Sequence, residues 1–152
     1  MAIASGTSGH IVSINISTEK GTVKHAVDEA KLIEDFGIEG DAHAGKWHRQ
    51  VSLLAHESFE AFADTIKIDL DYGVFGENLL IEGFELAQAE IGDQFLINGE
   101  VLLEITQIGK TCHKACVIRN IVGNCIMPTE GIFAVVKKAG TVKVGDKIEK
   151  IN

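Results

Sequence analysis

The sequence predicts a single, mainly β domain in which many short strands form a barrel-like or strongly bent sheet with one or two short helices. The chain has 152 residues, and 45% of them are hydrophobic, which is enough for one domain with its own core. It contains 16 glycines but only one proline, a ratio typical of short strands joined by tight turns. Few segments have the period of a helix.

Charge and composition exclude several classes of protein. The net charge is −8 and the basic residues are scattered, so we expect neither a nucleic acid nor a membrane surface as partner. No apolar run approaches the ~20 residues that span a bilayer. Residues 1–9 lack the basic start and long apolar stretch of a signal peptide, so we expect a cytoplasmic protein. In a reducing compartment, its three cysteines are expected to be free thiols or ligands.

The first part of the chain is predicted to alternate between strands and loops. Residues 1–9 are small and polar, and we expect a flexible end. Residues 10–17 alternate as a strand with one apolar face, and residues 23–27 form its partner after a tight turn. Residues 28–36 fit either a helix or a strand. A glycine-rich loop over 37–49 follows.

The rest of the chain is predicted to contain the main helix and several strands. The helix is expected over residues 55–65, because Phe59, Phe62 and Ile66 recur at spacings of three and four. Asn98-Gly99 is a strong hairpin signal. The predicted strands are 50–54, 79–81, one entered through a turn within 90–97, 101–108, 132–137 and one entered through the turn at 144–146. A loop over 109–128 contains every cysteine.

The run 37–50 is the first candidate site, since it combines glycines, carboxylates, histidines, an arginine and the only tryptophan. A run this polar in a core-forming chain more often lines a site than fills a core. The sequence after its glycines fits neither a phosphate-binding loop nor a dinucleotide fingerprint, and the metalloprotease H-E-x-x-H pattern is absent. The candidate residues here are Glu39, Asp41, His43, Arg49 and Gln50.

Two of these residues have alternative interpretations. His43 is either a loop histidine bonded to the backbone or a site residue. Arg49 precedes an apolar strand, so it needs an acidic partner, Glu39 or Asp41, or a bound phosphate or carboxylate. Glu77-Asn78 lies in a second glycine-punctuated loop, but asparagine is common in turns, so this pair alone indicates little.

The cysteine loop is the second candidate site. The spacing of Cys112, Cys116 and Cys125 lacks the recurring close pairs of a structural zinc site. Cys116 fits a buried thiol best, because it begins an apolar run. Nearby cations lower the pKa of a thiol and favour the nucleophilic, soft-metal-binding thiolate, and Cys112 has such neighbours in Lys110, His113 and Lys114.

Six segments, in this order, resemble the MOSC domain, the module similar to the C-terminal part of molybdenum-cofactor sulfurases. They are 37–45 (GIEGDAHAG), 49–54 (RQVSLL), 73–79 (GVFGENL), 91–93 (IGD), the Cys112 loop and 144–146 (VGD). The resemblance runs from about residue 10 to the end and is greatest to small stand-alone bacterial proteins. It implies a β-barrel similar to that of pyruvate kinase.

The resemblance also implies a role around the molybdenum cofactor, a pterin whose dithiolene sulfurs hold the metal. Members of the family carry sulfur to the metal or bind the cofactor through a cysteine thiolate. Cys112 takes the place of the cysteine that follows the strand resembling 101–108, and Cys125 is placed like a metal-binding cysteine of amidoxime-reducing relatives. Both are therefore candidate catalytic and metal-binding residues.

The implied cofactor gives the polar candidates a common role. The pterin carries a phosphate, so Arg49, His43 and Lys114 are implied anion contacts. The further residues of the implied cofactor pocket are Glu39, Asp41, Gln50, Glu77, Asn78 and His113. We expect Cys112 to face the same cavity as His43 and Arg49.

Three functions stay open at this point. In the first, the chain binds the cofactor or carries sulfur to it, as a possible sulfurtransferase. In the second, it is a small cofactor-dependent oxidoreductase of N-hydroxylated substrates. In the third, it is a sulfur-relay or scaffold partner without its own cofactor. The pyridoxal-phosphate desulfurase domain of full sulfurases and its Schiff-base lysine have no counterpart here, so we expect no such site. The expected partners are cofactor-biosynthesis or molybdoenzyme proteins and a cysteine desulfurase as sulfur donor.

Overall fold

The computed structural model describes residues 3–19, 23–67, 69–83, 85–109 and 131–152. These residues form eleven strands, one α-helix and one short 3-10 helix. The elements are β1 Ser8–Ile16, β2 His25–Val27, β3 Glu29–Ile33, β4 Gly37–Ile38, β5 Val51–Ala55, α1 His56–Ile66, β6 Leu79–Glu82, the 3-10 helix Leu86–Gln88, β7 Gln94–Ile97, β8 Val101–Ile108, β9 Ile132–Lys138, β10 Gly140–Lys143 and β11 Lys147–Lys150.

Seven of these strands close into a barrel. Their order is β1-β11-β7-β8-β9-β5-β6, and β6 pairs again with β1. Only the β5–β6 pair among them is parallel. β2 extends the sheet from the end of β1, and β10, β3 and β4 form a separate three-stranded sheet. The expected mainly β barrel with one short α-helix is confirmed.

Two hydrophobic clusters follow from strand alternation. In β5, Val51, Leu53 and Ala55 belong to the cluster inside the barrel, while Leu54 faces outward. The outward cluster packs α1 against the barrel wall. Its buried members are Leu54, Phe59, Val74, Phe75, Leu80 and Phe133. α1 therefore covers one side of the barrel.

Strand β1 departs from the strict alternation that its sequence predicts. Ile11 pairs with Ile81 and Ser13 with Leu80, so Val12 is an extra residue in a β-bulge. The bulge lets Ile11 and Ile14 both join the interior cluster, although their spacing is odd. Val12 packs instead against the helix-side cluster.

The start of the described chain is part of the barrel, so the expectation of a loose end over residues 1–9 is wrong for residues 3–9. Ile3 is buried, and β1 begins at Ser8. The Gly6 N–H donates to the Lys150 carbonyl at 2.7 Å, and the Lys150 N–H donates to the Thr7 carbonyl at 2.9 Å. Backbone pairing with the last strand orders this segment.

The other elements largely follow the sequence prediction. The undecided segment 28–36 contains strand β3, and α1 lies within one residue of its predicted bounds. The turn predicted at 144–146 separates β10 from β11 and leads into β11. None of the helices in the described ranges is long and apolar enough to cross a lipid bilayer.

Candidate functional site

A buried ion pair fixes the loop 37–50 against the end of β1. Lys24 Nζ lies 2.6 Å from Asp41 Oδ1, and the two side chains are 1% and 0% exposed. The same Oδ1 accepts the Ser17 backbone N–H at 3.1 Å. A buried pair is stable only when further hydrogen bonds satisfy its atoms, as they do here. The sequence predicts Glu39 or Asp41 as the acidic partner of Arg49. Asp41 is instead the partner of Lys24.

His43 is attached to this ion pair through its ring and its backbone. Its Nδ1 lies 3.1 Å from Lys24 Nζ. Its N–H donates to Asp41 Oδ2 at 3.3 Å, and its carbonyl accepts the Trp47 indole N–H at 2.8 Å. The ring is half-buried. The backbone of His43 is bonded within the loop, as the first interpretation predicts, and its role as a site residue stays a prediction.

Arg49 lies between aromatic rings. Its Cζ atom is 4.6 Å from the centroid of Trp47 and 5.6 Å from that of Phe133. Such cation–π contacts hold a guanidinium in place without neutralising its charge. Glu39 is exposed, and no ion pair between Glu39 and Arg49 occurs in the part of the chain that the structure describes. Arg49 thus contacts the rings of Trp47 and Phe133 in place of the predicted acidic partner.

One nitrogen of Arg49 has an unmet hydrogen-bonding capacity. Its Nε is buried and has no partner among the described residues, a condition shared only with Asn15 Nδ2 in those ranges. Most buried polar atoms in proteins are hydrogen-bonded, so an orphaned donor needs an explanation. A bound anion is one occupant that would supply the missing acceptor.

The loop 37–50 meets the barrel where the cysteine segment is attached. His48 Nε2 lies 2.8 Å from Gln107 Oε1, and the Gln107 amide donates to the Gly109 carbonyl at 2.7 Å. The Gly109 N–H donates to the Gly131 carbonyl at 2.6 Å, so the two attachment points touch each other. Thr106 Oγ1 also donates to the His48 carbonyl. These contacts connect His48 through Gln107 to Gly109, which is paired with Gly131.

Glu77 is buried in the loop 73–78. Its Oε2 accepts the Gly73 N–H at 2.7 Å and its Oε1 accepts the Phe75 N–H at 3.1 Å. Burial raises the pKa of Glu77 to about 7, although these backbone N–H groups and the charge of Lys24 oppose the shift. The carboxyl group holds its own loop together.

Asn78 and Gln50 connect strands. Asn78 Oδ1 accepts the Ser52 N–H at 2.9 Å, and Nδ2 donates to the Asn15 carbonyl at 2.9 Å, which links β5 to β1. Gln50 Oε1 accepts the Val136 N–H at 2.9 Å, and Nε2 donates to Asp35 Oδ1 at 3.1 Å. Both side chains are almost fully buried, and these bonds lie within the fold.

Asp41, His43 and Arg49 thus lie on one loop, where Trp47 contacts both His43 and Arg49, while Glu77 and Asn78 lie in the neighbouring loop 73–78. The Lys24 N–H donates to the Gly73 carbonyl at 3.1 Å, which joins the two loops. Cys112, Cys125, His113 and Lys114 lie outside the described residues. The predicted orientation of Cys112 toward the cavity of His43 and Arg49 therefore stays a prediction.

Sequence reasoning missed Lys24 and Phe133. Lys24 stands seventeen residues before Asp41, between exposed Val23 and His25, and no spacing rule connects it to the loop. Phe133 looks like an ordinary strand residue, and only barrel closure brings it under Arg49. Within the described ranges, no group of three or more His, Cys, Asp or Glu side chains is arranged to hold a metal ion.

The fold and part of the sequence match known proteins. A family model described as the MOSC domain matches residues 40–149. YuaD of Bacillus subtilis has 18% identity and a TM-score of 0.78, over 94% of this chain and 95% of that one. YiiM of Escherichia coli has 20% identity and a TM-score of 0.68, over 99% of this chain and 71% of that one.

A further solved structure agrees with these two. YiiM of Geobacillus stearothermophilus has 18% identity and a TM-score of 0.71, over 95% of this chain and 75% of that one. At these identities the structural likeness shows the fold, while the comparison with curated proteins gave no match. Because the family model covers most of the chain and the barrel is shared with YuaD and YiiM, the chain belongs to the MOSC domain family.

Proposed function

We propose that this MOSC protein binds the molybdenum cofactor, or carries sulfur to it, through a cysteine thiolate or persulfide, with Cys112 as the first candidate. The observation that carries the proposal is the state of Arg49. Its guanidinium is held by Trp47 and Phe133, and its buried Nε has no partner among the described residues. Such a group fits a phosphate, which accepts hydrogen bonds from an arginine in fixed geometry.

The residues around Arg49 fit an anionic cofactor in charge and in position. His43 adds a polar nitrogen on the same loop, and Lys24, which precedes β2, contacts both His43 and Asp41. Arg49 would hold the phosphate, and the ring of His43 would contact a second polar group. The cofactor, when bound, supplies a metal held by dithiolene sulfurs, which is a soft acceptor for sulfur.

The attachment of the cysteine segment supports the choice of Cys112. Gly109 hydrogen-bonds Gly131 and lies one contact away from His48 through Gln107. Cys112 follows Gly109 by three positions, and covalent geometry limits three residues to a reach of about 11 Å. Cys125 is six positions from Gly131, so its reach from that anchor is about twice as long.

Reconstitution with the cofactor tests the proposal. The purified protein should retain molybdenum in near-equimolar amount, measured by elemental analysis, and Cys112→Ser should lose it while Cys125→Ser should not. Equal retention in the two variants would contradict the thiolate role of Cys112.

Incubation with a cysteine desulfurase distinguishes cofactor binding from sulfur carriage. A persulfide on Cys112, detected by mass spectrometry together with molybdenum retention, supports delivery of sulfur to the cofactor. A persulfide without molybdenum uptake identifies a sulfur relay instead. If neither a persulfide nor retained molybdenum is found, the proposed function is wrong.

A further inference from the structure

The ammonium group of Lys24 has two further hydrogen-bond partners besides Asp41. Its Nζ lies 2.6 Å from Asp41 Oδ1, 3.1 Å from His43 Nδ1 and 3.4 Å from Ser17 Oγ. The Asp41 carboxyl also accepts the Ser17 and His43 backbone N–H groups, which favours its ionised form, so the buried Lys24 beside it is the ammonium that compensates this charge. A charged ammonium has three donors and no lone pair.

This chemistry decides which nitrogen of His43 carries the proton. Since Lys24 Nζ can only donate, His43 Nδ1 must accept, and an accepting ring nitrogen has no hydrogen. We propose that Lys24 is a positioning residue that holds His43 as a neutral imidazole with its proton on Nε2. The backbone of His43 is held as well, by Asp41 Oδ2 and by the Trp47 indole.

A ring fixed in this way offers one kind of contact. A neutral imidazole with an Nε2–H donates a hydrogen bond to an anionic oxygen or sulfur without placing a second full charge beside Lys24. This inference rests on the proposed function for the identity of the acceptor. It assigns His43 the role of a neutral donor to the cofactor or to a cysteine persulfide, next to the permanently charged Arg49.

Nitrogen-15 NMR of histidine-labelled wild-type protein at neutral pH tests the tautomer directly. The signals of His43 are assigned by their loss in His43→Asn. We expect an unprotonated Nδ1 and a protonated Nε2. A proton on Nδ1, alone or in addition to Nε2, overturns the proposal, and this measurement requires no destabilising substitution.

Two variants of similar shape separate the hydrogen bond from the charge. Lys24→Gln keeps an N–H donor for His43 Nδ1 and loses the charge, whereas Lys24→Met loses both. We expect the Nε2–H tautomer to persist in Lys24→Gln. In Lys24→Met the uncompensated Asp41 carboxylate remains nearby, so we expect Nδ1 to gain a proton. The same spectrum in both variants as in the wild type would exclude a positioning role.

Molybdenum retention links the tautomer to function. We expect Lys24→Met to weaken retention by about tenfold and Lys24→Gln by less, in line with outer residues that orient a histidine. If wild-type protein retains no molybdenum and forms no persulfide, but shows the Nε2–H tautomer, the proposed function fails and the role of Lys24 stands. Molybdenum retention together with an Nδ1-protonated His43 supports the proposed function and overturns the role of Lys24.

Discussion

Two glycine-punctuated polar loops differ in what their polar atoms do. In the loop 73–78, Glu77 and Asn78 are 0% and 1% exposed, and they bond to backbone groups of the barrel and of the loop itself. In the loop 37–50, His43 and Arg49 are half-buried, and Arg49 Nε has no partner among the described residues. The two loops resemble each other in sequence, and Asp41 and Gln50 of the second are also bonded within the fold. What distinguishes the second loop is Arg49, which keeps a hydrogen-bond donor that a ligand can use.

The comparison shows why composition alone does not identify a site. A polar residue that is buried with its hydrogen bonds satisfied stabilises the structure, whereas a held but incompletely bonded one can bind. Lys24 connects the two cases, because its backbone N–H bonds Gly73 while its side chain bonds Asp41. Through Lys24, the loop 73–78 therefore supports the loop 37–50.

The largest effect is expected for Asn78→Ala. The substitution leaves the buried Ser52 N–H and Asn15 carbonyl unsatisfied, which costs about 2 kcal/mol each, or about 4 kcal/mol in total. Urea unfolding measures the loss of free energy of unfolding. If stability is unchanged while cofactor retention falls, the loop 73–78 belongs to the binding surface and the comparison fails.

The next effect is a pH dependence caused by Glu77. Its pKa is raised from 4.5 to about 7 in the folded state, so the folded chain binds this proton more tightly than the unfolded chain. Stability should therefore fall by about 3 kcal/mol from this group as pH rises from about 4.5 to about 7, and then level off. Unfolding at a series of pH values should show this slope in the wild type but not in Glu77→Gln. Parallel curves would contradict the assignment.

A glycine in each loop gives a matched pair of substitutions. Gly73 has φ +93°, and an added Cβ would lie 2.5 Å from the Lys24 carbonyl oxygen, whereas Gly40 has φ +87° and open space around it. Gly40→Ala should cost about 1 kcal/mol of backbone strain, and Gly73→Ala about 2 kcal/mol more through the clash. Thermal unfolding compares them, and equal losses would show that Gly73 is not packed as described.

The smallest effect on stability is expected for Arg49→Ala. Loss of its contacts with Trp47 and Phe133 should cost about 1 kcal/mol, because no buried partner is left unsatisfied among the described residues. Molybdenum retention should nevertheless fall sharply, and Lys46→Ala, an exposed cation of the same loop, should retain it. Unimpaired retention in Arg49→Ala would remove the main support for an anion site.

Local sequence signals predicted most of the elements but not their neighbours. The Asn98-Gly99 hairpin and the alternation of β8 are decided within a few residues, so both are confirmed. The bulge at Val12 and the Lys24–Asp41 pair depend on contacts across the sheet, which no spacing in the chain encodes. The sequence indicates that Arg49 needs a partner. It does not indicate an aromatic one, because Phe133 reaches Arg49 only in the folded barrel.

The pairing of β1 with β11 has a consequence for synthesis on the ribosome. Ser8, Gly9 and His10 pair with Glu149, Ile148 and Lys147, so this part of β1 keeps an unpaired edge until β11 has emerged. Contacts so distant in sequence slow folding and prolong exposure to aggregation. We therefore expect nascent chains that stop before Lys147 to be held by chaperones.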